Sequence, residues 1–429
     1  MLSAASVGSW GDKLRVRVEH VLPAGGDNDK LWNLTIRDTG TGTQERYLGI
    51  STEADSDRTL EKVLRRSALV RYTGPNPAER PAKNADPRAD SPNEDMLAGD
   101  QFDEDDNPRY YVPADGNLGD DGSAVDATTL RGSEVAKSGI YALLDADIFT
   151  ILCLPPTEWG KSQDAGVITA AGTLCFQRRS MLLLDPPTTW TDVTAVATDL
   201  TTTTGPFALG DTARNAAVYF PNVRIPDPLD PQGDLREFPP CGVIAGLWAR
   251  TDAERGVWKA PAGTDAGLRG VAELAVTMTD GDNGRLNPFA VNCLRSFPVY
   301  GTLSWGARTR VGADRLADQW KYVPVRRLAL FIEESLFRGT KWVVFEPNGE
   351  TLWSSIRLNV GAFMNGLFQK GAFAGTTANE AYLVVCDKTN NPQNTIDQGI
   401  VNIRVGFAPL KPAEFVIIQI QQLAGDIAV

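Results

Sequence analysis

The stretch FIEESLFRGTKWVVFEPNGETLW, Phe331 to Trp353, sets carboxylates, an arginine, a lysine and two tryptophans close together, as if around a substrate. Its periodicity argues for a scaffold instead. In PVRRLALFIEESLFRG, Val325, Leu328, Ala329, Ile332 and Leu336 share one helical face, and Glu333 and Glu334 fall on the polar side. Glu334 and Arg338 form an i,i+4 pair in the favourable order. Gly339 is expected just past the helix end, WVVFEP reads as a buried strand, and Glu346 falls in a strand-to-turn junction. Nothing in the stretch converges on a nucleophile.

The other chemistry-bearing residues fare no better. Most nucleophilic triads take their base from histidine, and the chain's single histidine, His20, ends a predicted strand. There is no G-x-S-x-G elbow. Asp38-Thr39-Gly40 matches the aspartic-protease tripeptide, whose mechanism needs two carboxylates sharing a proton, but there is no second copy. In DTGTGTQ it reads as a hairpin turn. No G-x-x-x-x-G-K-[ST] or G-x-G-x-x-G run follows a predicted strand, so no phosphate cradle is visible. Lys259 beside Trp258 reads as a lysine stem packed on an indole. The five cysteines (Cys153, Cys175, Cys241, Cys293, Cys386) are scattered and contain no C-x-x-C pair, which favours free thiols over zinc or disulfides. The DEDDN cluster lacks the glycine and closing glutamate of an EF-hand loop. No cofactor, metal site or catalytic residue is expected.

The elements that hold these residues begin β-rich. Leu14, Val16 and Val18 alternate with Arg15, Arg17 and Glu19, as in a half-buried strand. LWNLTIRDTGTGTQERYLGI reads as two strands around a Gly/Thr turn, and RTLEKVLRRS as a short helix. From about Gly74 to Thr129 the chain is rich in Pro, Asp and Asn and reads as an exposed, disordered-like loop. Beyond Gly139, strands alternate with helices. IFTILCLP, MLLLDPP and AAVYFPNVRIPDP read as strands, DAGVITAAGTLCFQRRS and CGVIAGLWARTDAERG as helices. A long helix at ETLWSSIRLNVGAFMNGLFQKG has Leu352, Ile356, Val360, Phe363 and Leu367 in register. The strands AYLVVC, IVNIRVGF and EFVIIQIQ follow. This predicts an α/β fold (α+β in its segregation): a layered mixed-sheet core over residues 139–429, preceded by a smaller β-rich domain over residues 1–138 that carries the acidic loop.

At 429 residues, with 42% apolar and 22% charged, the chain can bury substantial cores. The net charge of −12 is concentrated: thirteen acidic residues face two arginines between Asp86 and Asp126. A net-acidic chain without a basic stripe argues against nucleic acid as a partner. No apolar run is long enough to span a bilayer, and no signal peptide is visible. Cytoplasmic synthesis and folding are therefore expected.

The C-terminal run KPAEFVIIQIQQLAGDIAV is among the most β-prone in the chain. An unpaired edge this apolar would aggregate, so Phe415, Val416, Ile417, Ile418, Gln419 and Ile420 are expected to pair, in their own sheet or by strand addition to another subunit.

LWARTDAERGVWKAPAG (Leu247 to Gly263), WGARTR (Trp305 to Arg310), WKYVPVRRLALFIEESLFRGTKWVVFEPNGETLW (Trp320 to Trp353) and VNIRVGFAPLKPAEFVIIQI (Val401 to Ile420) resemble the contractile tail sheath family of phage tails and contractile injection systems. The likeness runs over most of Gly139 to Gly425. It implies a structural, non-enzymatic subunit with a "subtilisin-like" sheath domain, a label of fold only. Such subunits stack as hexameric rings around an inner tube and contract on a baseplate signal to drive the tube through a target envelope. Baseplate and terminal cap proteins are the further partners implied. Neighbours are linked by terminal arms that add strands to adjacent sheets, the C-terminal arm falling on Lys411 to Leu423 here. SWGDKLRVRV is similar to the start of the family's inserted domain, so the upstream arm and first part of the core are either missing from this sequence or lost. Glu333, Glu334, Arg338 and Lys341 become candidates for charges that change partners between packing states. The rival readings are a hydrolase and a surface-binding module with tryptophan platforms.

Overall fold

A computed structural model describes residues 1–20, 29–86, 95–102, 107–114, 116–201, 207, 209–228, 230 and 233–414. The chain divides into two compact units, Met1–Ala124 and Val125–Val429.

The first unit is built on short strands: β1 (Leu2–Ala4), β2 (Leu14–Glu19), β3 (Leu31–Asp38), β4 (Gln44–Ser51), helix α1 (Leu60–Leu64) and β5 (Val70–Tyr72). β2, β3 and β4 form an antiparallel meander, and β1 pairs with β5. Alternation puts Leu14, Trp32, Leu34, Ile36 and Ile50 in one cluster with Leu60 and Leu64 of α1. The described parts of the Pro/Asp/Asn-rich stretch are not simply solvated. Asn84, Met96, Leu97 and Tyr110 are buried. Tyr111 exchanges both backbone hydrogen bonds with Val16 at 2.7 and 2.9 Å. The Asn84 N–H donates to Val18 O, and its Oδ1 accepts from the Val18 N–H. Buried Arg17 donates to the Ala85 and Arg109 carbonyls at 2.6 and 2.7 Å. The stretch thus satisfies the outer edge of β2, which bare would be a template for aggregation.

The second unit runs α2 (Ala127–Arg131), β6 (Ile151–Cys153), α3 (Ala165–Gln177), β7 (Met181–Leu184), α4 (Val193–Thr201), β8 (Ala216–Phe220), β9 (Val223–Pro226), β10 (Leu235–Phe238), α5 (Cys241–Arg255), β11 (Glu273–Leu274), α6 (Asp280–Leu286), β12 (Val291–Phe297), β13 (Gly301–Ser304), α7 (Val323–Gly339), α8 (Glu350–Gln369), α9 (Ala378–Ala381), β14 (Tyr382–Val385), α10 (Gln393–Asp397) and β15 (Arg404–Phe407). Its centre is a five-stranded sheet ordered β13-β12-β8-β7-β6. β6, β7, β8 and β12 are parallel and β13 adds an antiparallel edge. Parallel strands need both faces covered. Leu174, Val196 and Leu286 of α3, α4 and α6 fill one face, and Ile244, Trp248, Val323 and Leu330 of α5 and α7 the other. A further core joins Leu328 and Ile332 of α7 to Ile356, Val360 and Met364 of α8 and to the β14–β15 hairpin. The fold is α/β with mixed sheets, as its alternating pattern implies.

Three local expectations are corrected. AAVYFPNVRIP is two strands in different sheets, because Pro221 has no N–H with which to continue the β8 ladder. Gly339 is the last residue of α7 rather than the one beyond it, and Thr340 caps the helix. WVVFEP is neither strand nor buried: Lys341–Val343 is a 3₁₀ turn, and Trp342, Val344 and Phe345 are exposed. An apolar run marks burial without saying whether its own chain supplies the cover.

Candidate assembly site

The described chain ends at Glu414, and its root is held from inside the core. After β13, the segment Trp305–Arg310 passes against β12 so closely that a Cβ on Gly306 would lie 2.8 Å from Asn292 Cα. The Asn292 amide acts as a backbone surrogate there: its Oδ1 accepts from the Arg308 N–H at 2.6 Å, and its Nδ2 donates to Arg308 O and Val218 O. This fixes the Arg308 main chain and sends its fully buried guanidinium inward. Arg308 Nε and Nη2 donate to the two oxygens of Glu414 at 2.7 and 2.6 Å. Nη1 reaches Asp314 Oδ1 at 2.9 Å and the carbonyls of Asn287 and Gly312. Tyr322 Oη donates to Glu414 Oε2 at 3.2 Å, and Lys321 bonds Asp314 at 2.7 Å.

The electrostatics follow. Burial alone would lower the Arg308 pKa, but Glu414 and Asp314 beside it raise it. Lys321 first, and Arg308 with it, hold Asp314 below the usual carboxylate range. Burial and the neighbouring Glu414 charge raise Tyr322. A fork-to-fork pair of this kind fixes direction as well as position. The segment Leu410–Glu414 also walls a groove of about 670 Å³ with Trp258, Lys259, Trp305 and Lys370.

The residues expected to form the strand arm, Phe415 to Ile420, lie outside the described residues, as does the rest of Lys411 to Leu423 beyond Glu414. The four charges singled out in the sequence fall around the C-terminal half of α7. Glu334 accepts from Arg179 at 2.9 Å and from Arg338 at 2.7 Å, and Arg338 continues to Asp147 at 3.0 Å. Burial works against the Glu334 charge, but these two arginines hold its carboxyl below the usual range. Glu333 pairs with Arg326 at 3.4 Å, and Lys341 sits 5.9 Å from the Phe337 ring centre. Arg308, Asn292 and Glu414 were not singled out. The available signal was an arginine among small residues in WGARTR, facing a carboxylate two residues after Pro412.

The protease-like tripeptide is a closed turn. The Asp38 carboxylate accepts from the Gly40 N–H and the Thr41 hydroxyl, each at 2.8 Å. Burial pushes its pKa up, but these bonds and nearby Lys13 hold it below the ordinary value. His20 Nε2 lies 2.8 Å from Pro81 O. All five cysteines are free. Among the described residues, no cluster of His, Cys, Asp or Glu could hold a metal, and no helix is long and apolar enough to cross a membrane.

A buried ion pair thus anchors the last described residues to the layered core. Residues 317–422 match the phage tail sheath C-terminal domain family. The tail sheath protein of Vibrio phage KVP40 is 30% identical over 182 residues, 42% of this chain and 26% of that protein. The chain thus spans about a quarter of that relative's length. Among solved structures, the anti-feeding prophage helical sheath in the contracted state is 32% identical, with a TM-score of 0.56 over 71% of this chain and 77% of that one. The sheath complex of the extracellular contractile injection system PVC, also contracted, is 31% identical, with a TM-score of 0.56 over 66% and 73%. The chain belongs to the contractile tail sheath family.

Proposed function

We propose that the protein is the structural subunit of a contractile sheath. It polymerises as stacked hexameric rings around an inner tube, and the polymer shortens to drive that tube through a target envelope. Its partners are copies of itself, the tube protein, and the baseplate and terminal cap proteins. It is assembled in the cytoplasm of the producing cell, becomes part of a released or anchored particle, and carries out no catalysis. Strand exchange through Phe415 to Ile420 links neighbours, and the acidic stretch faces the particle's exterior, where like charge keeps particles dispersed.

Two observations support this reading: Glu414 is anchored, and a two-stranded sheet is left without a further strand among the described residues. Glu414 is locked to Arg308 where the apolar segment begins. The β14–β15 sheet has two strands only, and among the described residues no third strand lies on either outer edge. A two-stranded sheet is marginal alone, and an added strand supplies main-chain hydrogen bonds. Truncation after Glu414 tests this: the variant should stay folded and form no striated tubes by electron microscopy. Tubes of normal length from that variant would refute the arm's role.

A further inference from the structure

The carboxyl ends of β6 and β7 meet the first turn of α5, and three reactive groups converge there. Cys153 closes β6, Asp185 follows β7, and Cys241 opens α5. The Cys153 thiol donates to Cys241 O at 3.4 Å, and the Cys241 N–H donates to Asp185 Oδ1 at 2.9 Å. Cys153 and Asp185 thus both touch Cys241, each through its main chain. Asp185 Oδ2 is buried and has no hydrogen-bond partner. Cys153 is half-buried and Cys241 is buried. Burial, and for Cys175 also the nearby Cys153, pushes Cys175 and Cys293 up to about 12.

We propose that Cys153 and Cys241 are an oxidisable pair that closes into a disulfide under peroxide, with the Asp185 carboxylate as the base for the Cys241 thiol. The acidities are divided accordingly. The Cys241 side chain beside it lowers Cys153 against the effect of its burial, while Cys153, burial and Asp185 raise Cys241. Cys153 is the more exposed of the two, so peroxide reaches its thiolate, the attacking form, first. Cys153 sulfur attacks hydrogen peroxide, the O–O bond breaks, and a sulfenic acid forms as water leaves. Cys241 sulfur then displaces hydroxide from it; Asp185 takes the Cys241 proton and returns it to the hydroxide as a second water. Two thiols and one peroxide give one disulfide and two waters. The bond would tie β6 to α5 across 88 residues of chain, leaving the subunit open in a reducing cytoplasm and fastened in an oxidising exterior.

The test treats full-length protein with hydrogen peroxide and maps linked peptides by mass spectrometry. The expected result is a Cys153–Cys241 cross-link, a Tm that rises on oxidation and falls back with dithiothreitol, and Cys175 and Cys293 still alkylatable after unfolding. Cys153→Ser should lose both cross-link and Tm shift while keeping the wild-type reduced circular dichroism spectrum. Asp185→Asn should form the same cross-link at least about tenfold more slowly, the scale of a lost general base. Over-oxidation of Cys153 without a cross-link, or linkage to another cysteine, would overturn the pair. An unchanged closure rate in Asp185→Asn would overturn the role of the carboxylate.

Discussion

Removing the Glu414 side chain frees the root of the proposed arm from the core. In Glu414→Ala, Arg308 loses two charge-assisted hydrogen bonds of 2.7 and 2.6 Å, and Tyr322 loses one of 3.2 Å. A hydrogen bond to a charged group is worth about 1.5–3 kcal/mol, and stranding one partner of a buried pair costs about 3–5 kcal/mol. Asp314 stays on Nη1 at 2.9 Å, so the guanidinium keeps a counter-charge and the lower end applies, about 3 kcal/mol. At about 2–4 °C per kcal/mol for a domain of this class, Tm should fall by about 6–12 °C. Glu414→Gln should fare nearly as badly, because one carboxamide end places N–H donors against the donors of Arg308. Glu350→Ala is the control: its 2.6 Å pair with Arg357 is largely exposed and should matter by less than about 1 kcal/mol. Thermal unfolding of all three, with electron microscopy for tubes, checks the reasoning. If Glu414→Ala falls no further than Glu350→Ala, or if it assembles like the wild type, the clamp does not anchor the arm.

Burial pushes Asp185 up to about 6 from 3.8. The protonated form is therefore the one favoured by folding, and stability should fall by about 3 kcal/mol as pH rises through that window. Asp185→Asn, unfolded by denaturant under a thiol reductant, should lack that slope; a retained slope would refute the assignment. Ile356→Ala and Val360→Ala, fully buried on α8, should each cost about 2–4 kcal/mol by the same assay. Arg17→Met should remove the donors to Ala85 and Arg109 and speed amide exchange at Val16 and Tyr111 while leaving that at Ile36 slow. Phe345, fully exposed with φ of 72°, should tolerate Gly with no loss of Tm, because the side chain is strained there and packs on nothing within its chain.

What could be read from the sequence was what repeats along the chain. The 3.6-residue spacing of Leu328, Ile332, Ile356 and Val360 announces α7 and α8, and the run MLLLDPP announces a strand buried on both faces, because each pattern reports a local period against one core. Arg308 and Glu414 carry no period. They lie 106 residues apart, and only folding makes them partners. The acidic stretch was half legible: its residues 116–126 are largely exposed, as composition predicts, yet Asn84 and Tyr111 close the β2 edge through bonds that composition does not announce. WVVFEP is the instructive failure. Its composition demands cover, yet its own chain leaves Val344 and Phe345 bare. In a subunit made to pack against copies of itself, an apolar run can meet its cover only on assembly. The segment that sequence reasoning placed in the core is therefore, under the proposed function, the better candidate for a contact between subunits than Glu334 and Arg338, whose charges are already matched within the chain.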